Sequence, residues 1–202
     1  MIVTYQMVKD SLKNYKAKDI KIKRMSDSGE IIKLTRNLYE TDKTTSGYLV
    51  ANAIYSPSYL SFDYALAYHR LIPESVYVYT CATFSKGKKK KYTNALGVFT
   101  YRDVHKHIYP YGIELHKENN YYYAMATPEK ALCDKLYICC IVKKKKEMFN
   151  LLFDDLRIDF DTLKQLNFTE LSELCDTYKS TNMKYLKKVL RDINYNKITD
   201  ID

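Results

Sequence analysis

The eleven residues from Gly29 to Tyr39 constrain the fold of this chain most, because they combine a turn, two short apolar stretches and a basic tip. Three apolar residues in this segment suit two short strands: Ile31, Leu34 and Leu38. Lys33 and Arg36 remain outward near the connecting turn, where Asn37 tolerates the left-handed backbone region. We therefore predict a β-hairpin of the kind that forms the wing of a winged helix and places positive charge against DNA. An ordinary surface hairpin with two solvated cations is the alternative.

A basic helical stretch precedes this hairpin. Apolar residues at helical spacing predict a first helix with one buried face: Tyr5, Val8, Leu12 and Tyr15. A second, shorter helix is predicted over Ala17–Met25, so that only one good helix fits between Tyr15 and Gly29, where a full helix-turn-helix needs two. We interpret this unit as a reduced winged helix-turn-helix. Its candidate DNA-binding residues are Lys16, Lys18, Lys21, Lys23, Arg24, Lys33 and Arg36. A solvated helix face beside a small core is the alternative.

The charge balance and one polar segment bear on how the chain divides into units. The 202 residues include 33 Lys and Arg against 24 Asp and Glu, a formal net charge of +9. Such an excess favours polyanionic partners. The polar stretch Thr41–Gly47 is interpreted as a linker. We therefore predict two unequal units, a DNA-binding head over residues 1–43 and a larger domain over residues 44–202.

Cysteine usage bears on the cellular compartment. The chain has an odd number of cysteines, without a CxxC pair: Cys81, Cys133, Cys139, Cys140 and Cys175. This pattern favours reduced, intracellular thiols. The sequence contains no run of about 18 apolar residues and no charged-then-apolar leader. We expect a cytoplasmic protein without membrane contact.

The middle of the chain favours strands. Segments rich in β-branched and aromatic residues predict strands over Ser75–Phe84, Asn94–Arg102, Tyr111–His116 and Tyr121–Ala126. The connections are of hairpin length, beginning with Ser85–Lys91, and this predicts an antiparallel sheet. The expected fold class is α+β. It comprises a small winged-helix-like head and a larger α/β domain, in which the antiparallel sheet is followed by a C-terminal helical region.

Capping signals mark the helix starts of the larger domain. Ser61 is placed to cap a helix over Ser61–Arg70, on which we expect His69 to be packed and hydrogen-bonded. Thr127-Pro128-Glu129 combines a capping hydroxyl, a proline suited to the first helical position and a carboxylate. Apolar stripes predict further helices with buried faces over Phe149–Leu156, Leu171–Tyr178 and Met183–Ile193.

The sequence offers little support for a cofactor or a metal. Its five glycines are scattered, and none lies in a phosphate-cradling loop. His105 and His107 would project to one side of an extended segment, but Cys or carboxylate partners at zinc spacing are missing. We expect no cofactor, no metal ion and no catalytic residue.

Two features keep other activities open. Asp103, Glu114 and Lys117 resemble the acid, acid and lysine set of a metal-dependent nuclease, although the usual one-residue gap before the lysine is not met. The lysine runs Lys88–Lys91 and Lys143–Lys146 suit nucleic acid, an acidic protein partner or plain solvation. The alternatives to DNA binding are therefore a nuclease and a pure protein-interaction module.

Three segments, in this order and spacing, cover nearly the whole chain: Gly29–Tyr39; Ala53–Ser61, with Ala65-Leu66 and Leu71–Glu74; and Ala126–Asp134. Together they resemble the AbiEi family of antitoxins from type IV, or abortive infection, toxin-antitoxin systems. The resemblance implies an N-terminal winged helix-turn-helix that binds repeats in the promoter of its own operon. It also implies a C-terminal domain that counters a nucleotidyltransferase toxin of the AbiEii type.

Carried onto this chain, the resemblance matches Lys33 and Arg36 to the basic wing and the segment from Lys21 to Arg24 to the recognition helix. Asn37 stands where the family usually has Gly. The implied protein is a non-enzymatic antitoxin and autoregulator, a monomer that can pair on DNA. Its implied partners are promoter DNA and the toxin, with direct contact to the toxin left open.

Overall fold

A computed structural model describes residues 1–194 and confirms the α+β class. The first forty residues form a small unit of three strands and two helices. Its elements are β1 (Ile2–Thr4), α1 (Tyr5–Ser11), α2 (Lys18–Asp27), β2 (Ile32–Thr35) and β3 (Leu38–Glu40). The strands form an antiparallel sheet in the order β1-β3-β2. We call this unit, residues 1–40, the head.

The head has a small apolar core of its own. Six buried side chains from all of its elements except β2 and from the adjoining turns form it: Val3, Val8, Leu12, Ile22, Ile31 and Tyr39. The predicted second helix is present and slightly longer than expected. β1 has only three residues and carries no alternating pattern of useful length, so the sequence did not predict it. Its pairing with β3 is what turns a hairpin into a three-stranded sheet.

The head packs against the rest of the chain through its wing strand. Leu34 of β2 belongs to the large core rather than to the core of the head. The Asn94 amide donates to the backbone oxygen of Leu34 at 3.4 Å. Within the predicted linker, the Thr45 hydroxyl is buried and lies 2.9 Å from the Tyr121 hydroxyl. This polar segment is therefore anchored to the larger unit.

A six-stranded sheet organises that larger unit. In chain order its elements are α3 (Gly47–Ile54), β4 (Tyr59–Leu60), α4 (Phe62–Tyr68), β5 (Val78–Thr83), β6 (Lys90–Asn94), β7 (Gly97–Asp103), β8 (Ile113–Glu118) and β9 (Tyr121–Ala126). The strand order is β6-β7-β5-β4-β9-β8. The pairs β4/β9 and β5/β7 are parallel, and the other three pairs are antiparallel.

The prediction of an antiparallel sheet is therefore wrong, because the sheet is mixed. The segment Ser85–Lys91 was predicted as a hairpin loop, but β6 already begins at Lys90. The tight turn lies instead between Asn94 and Gly97, which are paired partners of β6 and β7. β6 thus takes the edge, and β7 returns beside β5 in the same direction.

Helices complete the fold after β9. They are α5 (Pro128–Ile138), α6 (Lys145–Asn150) with a π-helical continuation (Leu151–Asp155), α7 (Phe160–Gln165), α8 (Phe168–Tyr178) and α9 (Thr181–Asn194). Thr127 caps α5 as predicted, since its hydroxyl oxygen accepts from the backbone nitrogen of Lys130 at 3.2 Å. The predicted stripes of α8 and α9 are buried in the large core. Over residues 1–194, no helix is long and apolar enough to cross a membrane.

Candidate nucleic-acid interface

The outer side of α2 is cationic. Ile22 is only 2% exposed and fixes the inner side of the helix against the core of the head. Lys23 and Arg24 follow it and are exposed. Ile20 is 56% exposed and lies three and four residues before these cations, on the same side of the helix. The helix therefore presents an apolar side chain flanked by two positive charges to solvent.

The other predicted DNA-binding residues differ in how free they are. Lys16, Lys33 and Arg36 are exposed, and none of them forms an ion pair within residues 1–194. Lys18 is partly buried. Lys21 lies 3.6 Å from the Glu30 carboxylate, and its ammonium also lies 5.7 Å from the centre of the Tyr15 ring. Lys21 is thus the least available of the seven cations.

The wing has the predicted hairpin form with a different turn geometry. Thr35 and Leu38 are paired, so Arg36 and Asn37 alone connect β2 to β3. Asn37 is absent from the residues with positive φ, so the left-handed conformation expected for it is wrong. Its backbone oxygen accepts a hydrogen bond from the Tyr5 nitrogen at 2.9 Å. This bond ties the wing to the start of α1.

A polar latch joins the two helices of the head. The Tyr5 hydroxyl donates to the Asp19 carboxylate at 2.6 Å, and the Lys9 ammonium lies 2.9 Å from the same oxygen. The hydrogen bond from Tyr5 and the pairing with Lys9 hold the pKa of Asp19 below its ordinary value. The same contact raises the pKa of Tyr5. α1 thereby fixes the start of the cationic helix.

The residues of the nuclease alternative do not meet. Asp103 ends β7, whereas Glu114 and Lys117 lie on β8, four inter-strand steps away. At about 4.8 Å a step, these strands are roughly 19 Å apart, too far to share one metal ion. Both Asp103 oxygens are already occupied, by the Thr83 hydroxyl at 2.6 Å and by the backbone nitrogens of Lys86 and Gly87 at 2.7 and 2.8 Å. Asp103 organises the turn after β5.

The lysine runs and the histidine pair lie at separate places in the fold, and the histidines do not form part of a metal site. Lys88–Lys91 leads into the edge strand β6, and Lys145 of the second run pairs with Asp192. The rings of His105 and His107 lie 5.0 Å apart. No group of three or more His, Cys, Asp or Glu side chains in the described part of the chain could hold a metal ion.

A buried polar cluster, which the sequence did not predict, lies at the centre of the larger unit. Asp134 accepts hydrogen bonds from the hydroxyls of Tyr59, Ser61 and Tyr178 at 2.8, 2.7 and 2.5 Å. Lys130 lies 3.5 Å from the same carboxylate and donates to the backbone oxygen of Ile108 at 2.5 Å. We call these five side chains the Asp134 cluster.

The Asp134 cluster is closed to solvent, since all five side chains are buried. Burial lowers the pKa of Lys130, and the Asp134 charge partly offsets this effect. Burial and the same charge raise the pKa of the Tyr59 and Tyr178 hydroxyls. The arrangement holds α5 to β4 and α8. Its sequence signal was a pair of opposite charges four residues apart inside the apolar start of α5.

Two side-chain predictions for α4 have different outcomes, and the Asp134 cluster explains the first of them. Ser61 precedes α4, but its side chain makes no capping bond, because its hydroxyl donates to Asp134 instead. His69 is packed and hydrogen-bonded as expected, with its Nε2 2.8 Å from the backbone oxygen of Ala126.

No protein-family model matches this sequence, and a search of the curated proteins finds no match.

Proposed function

We propose that this chain is a DNA-binding autoregulator and antitoxin of a type IV toxin-antitoxin system. The observation that carries the DNA-binding part is the outer side of α2, where Lys23 and Arg24 flank the exposed Ile20. A helix of this kind fits the major groove, where cations bind phosphates or guanine and an apolar group contacts the thymine methyl. The cationic wing at Lys33 and Arg36 supports a second contact.

The antitoxin part rests on the sequence resemblance to the AbiEi family. In this proposal the larger unit counters a nucleotidyltransferase toxin, and the chain itself catalyses no reaction. It works in the cytoplasm, which its five free cysteines support. It acts as a monomer that can pair on DNA, with the promoter of its own operon and the toxin as its partners.

Binding to DNA is tested with the full chain and the duplex upstream of its own gene, against a scrambled duplex of equal length, over a salt series. We expect a preference of about a hundredfold, or roughly 2.7 kcal/mol, that persists near physiological salt. The triple variant Lys23→Ala, Arg24→Ala, Arg36→Ala should weaken binding and reduce the salt slope by about 2.7, since each lost phosphate contact removes about 0.9.

A matched variant separates local contacts from bulk charge. Lys88→Ala, Lys143→Ala, Lys146→Ala removes the same three charges from exposed positions outside the head. It should keep the preference and most of the slope. Equal losses of DNA affinity in both triple variants would show that binding depends only on net charge, and this would contradict the assigned DNA-binding surface.

The antitoxin role needs its own measurement. The chain is co-expressed with the nucleotidyltransferase encoded beside it, and growth is recorded. We expect rescue by the wild type and by the head triple variant, because neutralisation is assigned to the larger unit. Growth arrest with both the wild type and the head triple variant, while the wild type still binds DNA, would indicate a repressor without antitoxin activity.

A further inference from the structure

A cavity of about 360 Å³ opens between the edge of the large sheet and the helices packed on it. Lys91 of β6 pairs with Thr100 of β7, so their side chains point to the same face of the sheet. Arg102 lies two residues after Thr100 and points the same way. Phe62 of α4 and Ile138 at the end of α5 also line the cavity.

The orientation of this face is fixed by Thr80 of β5, the neighbour of Thr100 across the parallel pair. Its hydroxyl donates to the backbone oxygen of Ser61 at 2.5 Å and accepts from the Tyr64 nitrogen at 3.0 Å. Both contacts belong to α4 and its start. The face that carries Lys91 and Arg102 is therefore the one turned toward α4.

The cavity has an excess of positive charge that no carboxylate within residues 1–194 neutralises. Lys89, Lys90, Lys91 and Arg102 line it, and none of these four forms an ion pair or a side-chain hydrogen bond within residues 1–194. Among residues 1–194, Asp63 is the one carboxylate in the lining, and its oxygen lies 2.5 Å from the Lys135 ammonium, which neutralises it. Arg102 is half-buried and lines this cavity. Converging cations in a cleft concentrate anions, and a guanidinium binds phosphate through two parallel hydrogen bonds.

The rest of the lining suits the uncharged part of such an anion. Ile138, which is partly buried, and Phe62, which is 3% exposed, supply the apolar part of the lining, and the volume is in the usual range for a small-molecule site. We propose that this cavity binds a nucleoside phosphate, with the phosphate on Arg102 and Lys91 and the base and sugar against Phe62 and Ile138. The site uses side chains from separate strands rather than a glycine-rich loop, so the sequence pattern did not reveal it.

The chemistry recognised is a phosphate ester, which a free nucleotide and a nucleic-acid strand share. Calorimetric titration of the full chain uses three probes to separate these sources: ATP, inorganic phosphate and a single-stranded 12-mer oligonucleotide. We expect saturable binding of ATP, weaker binding of inorganic phosphate because it lacks the apolar part, and no tighter binding of the oligonucleotide. Arg102→Gln and Lys91→Gln should each weaken ATP binding about tenfold or more.

Two further variants make the result specific. Lys88→Gln removes a neighbouring lysine that does not line the cavity, and it should leave ATP affinity within about twofold. The head triple variant should also leave it unchanged, since this site does not depend on the proposed DNA-binding role. Circular dichroism checks that Arg102→Gln is folded, and Lys91→Gln, at an exposed position, tests the same contact without that concern.

The proposal is overturned if ATP shows no saturable binding, or if folded Arg102→Gln and Lys91→Gln both bind it as well as the wild type. It is also overturned if only the oligonucleotide binds, or if the head triple variant loses ATP binding. Failure of promoter binding in the separate DNA experiment would leave this site untouched.

Discussion

The Lys130 ammonium lies 3.5 Å from the Asp134 carboxylate four residues later, and neither side chain has any exposed surface. The carboxylate also accepts three hydroxyl groups, from Tyr59, Ser61 and Tyr178. A buried charge is tolerated only when it is paired and hydrogen-bonded, and here both conditions hold. This pair links the first turns of α5 to the sheet and to α8.

Removing the cation from this pair should be costly. We expect Lys130→Met to lower the free energy of unfolding by about 3–5 kcal/mol, because it leaves the Asp134 charge buried without its partner. Lys135→Met breaks the partly exposed pair with Asp63 on the same helix and should cost about 1 kcal/mol or less. Urea unfolding measures both. Similar small losses in the two variants would show that Lys130 contributes no more than a surface cation.

Two isoleucines two positions apart on α2 should behave in opposite ways. Ile22→Ala opens a cavity in the core of the head and should cost about 2–5 kcal/mol of unfolding free energy. Ile20→Ala removes an exposed side chain and should change stability by less than about 0.5 kcal/mol. Thermal and urea unfolding give the comparison. If α2 reads DNA as proposed, folded Ile20→Ala should lose part of its preference for its own upstream duplex. A large stability loss in Ile20→Ala would mean that the helix faces the other way.

Acid should weaken the latch between the head helices. The contacts with Tyr5 and Lys9 lower the pKa of Asp19 below its ordinary value of 3.8. The Asp19 carboxylate therefore binds a proton less readily in the folded state than in the unfolded state. The latch therefore contributes stability above the unfolded pKa, and this contribution is lost as the pH falls through the folded pKa. We expect Asp19→Asn to be less stable than the wild type at pH 7. The difference should shrink below about pH 4. A difference independent of pH down to pH 2 would exclude the charge as its source.

Asp103 and Glu114 should separate a structural role from a catalytic one. Asp103→Ala leaves the fully buried Thr83 hydroxyl and two backbone nitrogens without their acceptor and should cost about 1–3 kcal/mol. Glu114 is exposed, so Glu114→Ala should change the free energy of unfolding by less than about 0.5 kcal/mol. Urea unfolding is paired with incubation on supercoiled plasmid and Mg²⁺. Cleavage that both variants abolish without a change in stability would restore the nuclease alternative.

Local patterns predicted several elements of this fold. The start of α5 follows from Thr127 and Pro128, whose capping hydroxyl and fixed φ act within one turn. The wing follows from the short apolar stretches around Lys33 and Arg36. The apolar stripe from Met183 to Ile193 predicted which side of α9 is buried. Each of these depends on residues within a few positions of one another.

The misses have a common origin in contacts between distant parts of the chain. The sheet is mixed because β7 rather than β6 pairs with β5, and because β4 pairs with β9, which lies more than 60 residues later in the chain. Ser61 suits a helix cap equally well by sequence, but Asp134, 73 residues later, takes its hydroxyl. No local pattern shows which competing partner a polar group meets.

The amino-acid sequence by itself determined the α+β class, the cationic wing and helix, and the buried stripes of the late helices, because periodicity and capping act over short distances. Only the tertiary structure decided which sheet face carries Lys91 and Arg102, that Asp103 and Glu114 lie on strands four steps apart, and that Lys130 and Asp134 are enclosed. Strand order and burial arise from packing the whole chain, since the free energy of each pairing depends on every other element that covers it.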